Sequence, residues 1–202
     1  MSGRPATVPA PEAEAVRSAV HAVRRGDREA FGRLVEFYQG RVFGLTLMVV
    51  RNPSGAEEVT QDAFVRAFSY LDRYDAKRPF YPWLATIAVR LAQNWLRRRA
   101  RLIRREGTEL EPERHPAQTT DPLSQLITDE RAQRLWRSVE VLPLGERTAV
   151  LLYYRQEMKV VDVARVLGVT SGTVKTLLFR ARGKLRRAAR DPRDGTSGKE
   201  QT

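Results

Sequence analysis

A polar stretch holding three prolines, GTELEPERHPAQTTDP from Gly107 to Pro122, limits what this 202-residue chain can fold into more than any other feature. No apolar periodicity crosses it, so no helix or strand can carry a core from one side to the other. A domain boundary is expected here, and at this length two modest cores of well under ~100 residues each are as plausible as one large core.

On the N-terminal side the apolar residues recur at helical spacing. Residues 1–11 are rich in Pro, Ala and Ser and are expected to form a disordered tail, followed by a helix from Glu12 to Arg25 that stops at Gly26. Asp27 can cap a long amphipathic helix with Phe31, Leu34, Val35, Tyr38, Val42, Leu45 and Val49 on one face. After the turn at Asn52-Pro53, Ser54 and Glu57 are spaced as a capping box for a third helix through Val59, Ala63, Ala67 and Leu71. A proline-containing loop, Tyr74 to Pro82, precedes a fourth helix whose inner face is Leu84, Ile87, Ala88, Leu91 and Trp95.

Beyond the linker, helical patterning runs from Leu123 to Val139, breaks at Leu142-Pro143 and resumes from Thr148 to Tyr154. Two shorter helices, Val160 to Leu167 and Gly172 to Arg187, flank Gly168-Val169-Thr170-Ser171. Strand-like alternation never persists and no internal repeat is present. The expected fold is all-α: two small helical domains, residues 12–106 and 123–190, joined by a flexible linker at 107–122, with a second disordered tail at 191–202.

Composition narrows the partners. A formal charge of +12 favours a polyanion, since each Lys or Arg seated on a phosphate releases condensed counterions. Nucleic acid leads and an anionic membrane surface comes second. The absence of cysteine excludes disulfides and thiolate metal sites, and two isolated histidines, His21 and His115, make a poor metal site. No metal or other cofactor is expected. The opening MSGRPATVPAPEAEA lacks the apolar core of a signal peptide, and no apolar run approaches the ~20 residues of a membrane span. A cytoplasmic protein without membrane insertion is expected. P-loop, GxSxG and HExxH patterns are missing, so neither catalysis nor a small-molecule substrate is indicated.

The strongest local signal is VVDVARVLGVTSGTVKTLLFRARGKLRR, in which a helix, a tight turn at Gly168 and a second helix form a helix-turn-helix pattern. No acidic residue occurs from Val163 to Arg190, while Lys175, Arg180, Arg182, Lys184, Arg186, Arg187 and Arg190 supply positive charge. That asymmetry favours a DNA-facing helix over a merely solvated basic face. A second acid-free run, Arg90, Arg97, Arg98, Arg99, Arg101, Arg104 and Arg105, lies late in the fourth helix, just after Phe80, Tyr81 and Trp83. Rings beside cations suit unpaired bases and their phosphates. The aromatics could equally pack the loop onto the core, a reading that fits Phe80 and Trp83 better than Tyr81, which Pro82 flanks. Glu57, Glu58, Gln61 and Asp62 form an acidic patch on the third helix. Dipole compensation accounts for the first of them, and Gln61 and Asp62 sit too late in the helix for it, which leaves a protein-binding role open.

Five blocks in order, DREAFGRLVEFYQGRVF, AEEVTQDAFVRAF, WLATIAVRLAQNWLRRR, LPLGERTAVLLYYRQEM and the helix-turn-helix segment, resemble the extracytoplasmic-function (ECF) group of the bacterial sigma-70 family of RNA polymerase sigma factors. The resemblance runs from about Arg24 to Arg187. It implies a first domain that grips the polymerase clamp and opens the downstream promoter element, and a second that reads the upstream element. Carried over residue by residue, it assigns Glu58, Gln61 and Asp62 to core RNA polymerase. It assigns Phe80, Tyr81, Trp83, Arg90, Asn94, Arg97 and Arg98 to capture and melting of the downstream element. Lys175, Thr176, Phe179 and Arg180 fall at the positions that touch the upstream element. Arg90 and Asn94 depart from the family pattern, which has Asn and Asp there, and both add positive charge. The resemblance further implies a cognate anti-sigma factor as partner. The alternative on the residues alone is a free-standing helix-turn-helix transcriptional regulator that dimerises through its N-terminal domain.

Overall fold

The computed structural model describes residues 10–106 and 137–189, with side chains from Ala13 onward. Helices α1 (Ala10–Arg24), α2 (Glu29–Val50), α3 (Pro53–Ser69) and α4 (Phe80–Glu106) make up the first half, and a single 3-10 turn, Leu71–Arg73, follows α3. The second half has α5 (Leu144–Val150), which runs into a π-helical turn at Leu151–Arg155, then α6 (Val160–Leu167) and α7 (Ser171–Ala188). The described residues contain no strand. The expected linker at 107–122, most of the helix expected from Leu123 and both expected tails lie outside the described residues, save for the ends of those stretches.

The helix limits follow local chemistry. Gly26 takes φ +99, a conformation open to glycine, and ends α1. Asp27 Oδ1 then accepts from the Ala30 N–H at 3.0 Å, as a cap should. For α3 the structure corrects the expected capping box. Asn52, not Ser54, is the cap, with its side-chain oxygen 2.7 Å from the Gly55 N–H. Pro53 is the reason: it holds Asn52 extended at φ −143 while itself taking the first helical position, so Ser54 already lies inside the helix. The fourth helix also starts earlier than expected, at Phe80, with Pro82 tolerated in its first turn.

The inner faces of α1 to α4 meet around Val20, Leu34, Val42, Leu45 and Leu84, joined by Leu71 of the 3-10 turn. In the second half Val139, Leu151, Leu152, Val163 and Leu178 are buried. These two sets belong to one continuous cluster, because α4 packs on α6 and α2 approaches α5. Polar contacts cross the same boundary. The Arg41 Nε donates to Gln156 Oε1 at 2.7 Å and its Nη2 to the Gln156 carbonyl at 2.9 Å. Arg147 is buried and its Nη2 donates to the Val49 carbonyl at 3.0 Å, while Nη1 reaches the Glu140 carbonyl at 3.0 Å. Two helical halves are thus present, as expected, but they are docked on each other. Burial lowers the Arg147 pKa, with Arg51 adding to the effect and Glu140 opposing it.

Candidate nucleic-acid interface

The turn between α6 and α7 is built by a glycine and a threonine. Gly168 takes φ +68 and closes α6, and the Thr170 hydroxyl accepts from the Thr173 N–H at 3.2 Å to cap α7. Val174, Leu178 and Ala181 bury one face of α7, and Lys184 Nζ donates to the buried Glu146 carboxylate on α5 at 2.8 Å. The opposite face is left outside. Lys175, Thr176, Phe179 and Arg180 are all exposed, Phe179 at 75%. Spaced i, i+1, i+4 and i+5, they share one side of the helix. Thr176 spends its hydroxyl proton on the Gly172 carbonyl at 3.1 Å, which leaves the oxygen as an acceptor.

The second basic surface lies along α4. Arg90, Asn94, Arg97 and Arg98 are exposed, and Arg90, Asn94, Arg97, Arg101 and Arg104 recur at spacings of four and three, which aligns them in a stripe. Arg97 Nη2 donates to Asn94 Oδ1 at 2.7 Å. An open groove of about 730 Å³ runs between this stripe and α3, lined by Asp62 and Arg66 on one side and Arg97, Arg98, Arg101 and Arg104 on the other. Four arginines line the α4 wall of this groove.

The aromatics expected beside that track are distributed differently. Phe80 and Tyr81 are each 3% exposed, and Trp83 is half-buried. Tyr38, Tyr74, Phe80 and Trp83 pack at centroid separations of 5.0 to 5.4 Å, and Tyr81 stacks on Tyr38 at 5.8 Å. Tyr81, read from its proline neighbour as the least core-like of the three, is therefore a core residue. The reason is that Pro82 sits within the helix and so cannot hold Tyr81 out in a loop. Arg41, held by its hydrogen bonds to Gln156, lies over the Tyr81 ring at 3.9 Å. Burial pushes the Tyr81 hydroxyl well above its ordinary value, with Arg41 pulling the other way. Tyr74 is pushed up to about 12 by burial, with Asp75 adding to it.

On α3, Glu58, Gln61 and Asp62 are all exposed. Gln61 and Asp62 face solvent one turn from Val65, an apolar side chain also left exposed. Glu58 differs, because both carboxylate oxygens are engaged within the chain, Oε2 by the Trp95 indole N–H at 2.8 Å and Oε1 by Arg98 at 3.3 Å. Patterning identified Trp95 only as a core position and did not single out Gly55, Arg41, Arg147 or Gln156. Their partners are far away in sequence, so no local signal could have found them.

Described residues that are all-α, with a helix-turn-helix, an exposed basic face on its second helix and a second arginine stripe on the other helical half, point to a DNA-directed protein of the two-domain kind. Its sequence matches the family models "Sigma-70 region 2" over residues 34–102 and "Sigma-70, region 4" over residues 132–185. It is 32% identical over 170 residues to the ECF RNA polymerase sigma-E factor of Escherichia coli strain K12, covering 81% of this chain and 88% of that one. It is 28% identical over 183 residues to the ECF RNA polymerase sigma factor SigW of Bacillus subtilis, covering 87% and 97%. The fold is that of the sigma factor RpoE solved with the anti-sigma factor NepR from Bartonella quintana, at TM-score 0.66 and 22% identity over 81% of this chain and 98% of that one. The chain belongs to the sigma-70 family of RNA polymerase sigma factors, in its extracytoplasmic-function group. No helix among the described residues is long and apolar enough to cross a membrane.

Proposed function

We propose that this sigma factor joins core RNA polymerase through the exposed Gln61–Asp62 face of α3 and reads the upstream promoter element with Lys175, Thr176, Phe179 and Arg180 of α7. The observation that carries the reading is the α7 face itself: a capped helix anchored on one side, acid-free and exposed on the other, as a major-groove reader requires. Arg90, Asn94, Arg97 and Arg98 on α4 then hold the downstream element. Phe80 and Tyr81 act from beneath: they anchor the exposed loop at residues 75–79 to the core, and a base could stack on Tyr81 only after Arg41 moves aside. Trp83, half-buried at the edge of the same cluster, is the aromatic best placed to meet an unpaired base without such a movement. Catalysis is left to the polymerase, and the protein works in the cytoplasm. An anti-sigma factor is the regulatory partner, by analogy with the Bartonella sigma factor RpoE, which was solved in complex with the anti-sigma factor NepR.

The test is to add the purified chain to core polymerase and map transcript starts across the genome, alongside binding of the chain alone to the promoters so found. Starts that share two spaced elements, bound well only with polymerase, support the proposal. Tight, salt-tolerant binding by the isolated chain and no promoter-specific starts would identify a free-standing regulator instead.

A further inference from the structure

The resemblance assigns Glu58 to the polymerase, yet its carboxylate is turned toward α4. Its Oε2 accepts from the Trp95 indole N–H at 2.8 Å and its Oε1 from Arg98 at 3.3 Å. The indole lies directly on Gly55, where a Cβ would come within 2.4 Å of Trp95 Cζ2 and 2.9 Å of Cη2. Gly55 in turn is held by the Asn52 cap at 2.7 Å, so the surface beneath the ring is the rigid first turn of α3. Arg99 covers the ring, its Cζ 5.3 Å from the centroid. A flat contact that admits only glycine, a directed indole hydrogen bond and an ion pair therefore converge where α3 meets the arginine-bearing half of α4.

We infer that Glu58 is a positioning residue that locks the arginine stripe of α4 to the polymerase-facing helix α3, through Trp95, and is not itself a polymerase contact. The physical need is clear. Gln61 and Asp62 lie one turn beyond Glu58 on α3, and Asn94, Arg97 and Arg98 flank Trp95 on α4. The angle between the two helices therefore sets where DNA held by α4 sits relative to an enzyme held by α3. Without the lock, α4 beyond Leu91 keeps its charge but loses its direction. Binding survives, and the productive alignment needed to open paired DNA is lost. The functional consequence rests on the polymerase and promoter assignment proposed above, whereas the lock itself does not.

The test has one arm for each. In urea unfolding of the full chain, Glu58→Ala, Trp95→Phe and the double variant form a cycle, and Gly55→Ala is compared in the wild-type and Trp95→Ala backgrounds. Expected are a double variant scarcely less stable than the worse single, and a Gly55→Ala loss that disappears once Trp95 is Ala. Additive single losses, or a Gly55→Ala cost independent of Trp95, overturn the lock. With core polymerase, Trp95→Phe and Glu58→Ala should each associate as the wild type does. Each should open a fully paired promoter about three- to tenfold more slowly, the scale of one half-exposed charged hydrogen bond, and both should recover on a template already unpaired at the downstream element. Loss of association by Glu58→Ala but not by Trp95→Phe would make Glu58 a polymerase contact and overturn the inference. A wild-type chain that fails to associate at all would sink the functional proposal while the unfolding cycle still judged the lock.

Discussion

The two basic helices, α4 and α7, are built to opposite plans. α7 is anchored along one side by Val174, Leu178 and Ala181 and leaves Lys175, Phe179 and Arg180 outside, so this exposed face carries almost none of the fold. The N-terminal turn of α4 is sunk in an aromatic cluster, and its middle is tied to α3 through Trp95 and Glu58. On α4 charge and architecture are entangled, whereas on α7 they are separable. Substitutions on α7 should therefore change what is recognised, and substitutions on α4 should change whether the protein holds its shape.

The sharpest way to break this comparison is Tyr81→Ala set against Phe179→Ala. Removing a ring that is 3% exposed and packed against Tyr38 and Arg41 should cost about 3–5 kcal/mol in urea unfolding, against less than about 0.5 kcal/mol for the exposed Phe179. Equal tolerance would show that the α4 aromatics are not structural. Next in size is Arg147→Ala, which strips the Val49 and Glu140 carbonyls of a buried donor and should lower stability by about 1–3 kcal/mol. The two halves should come apart first in that variant. Faster hydrogen exchange at α6 than in the wild type would register this, and unchanged exchange would mean the docking does not depend on that guanidinium.

On α7, Arg180→Ala should leave unfolding unchanged and relax discrimination at one position of the upstream element by about 1–3 kcal/mol. A uniform loss of affinity for all sequences would make Arg180 a phosphate contact instead. The last test concerns alkali. Tyr74 titrates near 12 in the folded protein, above the ordinary value of 10 expected when unfolded. The folded state then binds the extra proton between those values. The stability from this group is full below pH 10 and is lost as pH rises toward 12. Tyr74→Phe should flatten the stability profile over that window, and an unchanged slope would mean burial of this hydroxyl contributes nothing.

Much of this molecule is legible in the amino-acid order. The helix faces are visible as apolar spacings, since a helix of 3.6 residues per turn must put Phe31, Leu34, Tyr38 and Val42 on one side wherever it docks. Gly26, Asp27 and Gly168 act where local patterning places them, because a left-handed turn or a cap depends on neighbours within a few residues. The α7 face was equally legible, since its exposure follows from its own amphipathic pattern and its lack of acids. The cap of α3 was harder: choosing Asn52 over Ser54 requires the extended backbone that Pro53 imposes, which patterning treats only as a turn.

What the amino-acid order determined alone was thus most of the described helices, to within about a turn at their starts, the side each would bury and the positive faces. Tertiary structure decided where those sides met. Tyr81 became core because α2 brings Tyr38 and Arg41 against it, Glu58 became an internal acceptor because α4 passes Trp95 over Gly55, and Arg147 was buried because α2 offers the Val49 carbonyl. Each depends on a partner 37 to 98 residues away in the chain. Local periodicity is silent at that range, where close packing and the need of every buried polar group for a partner choose among arrangements that the helices by themselves would equally permit.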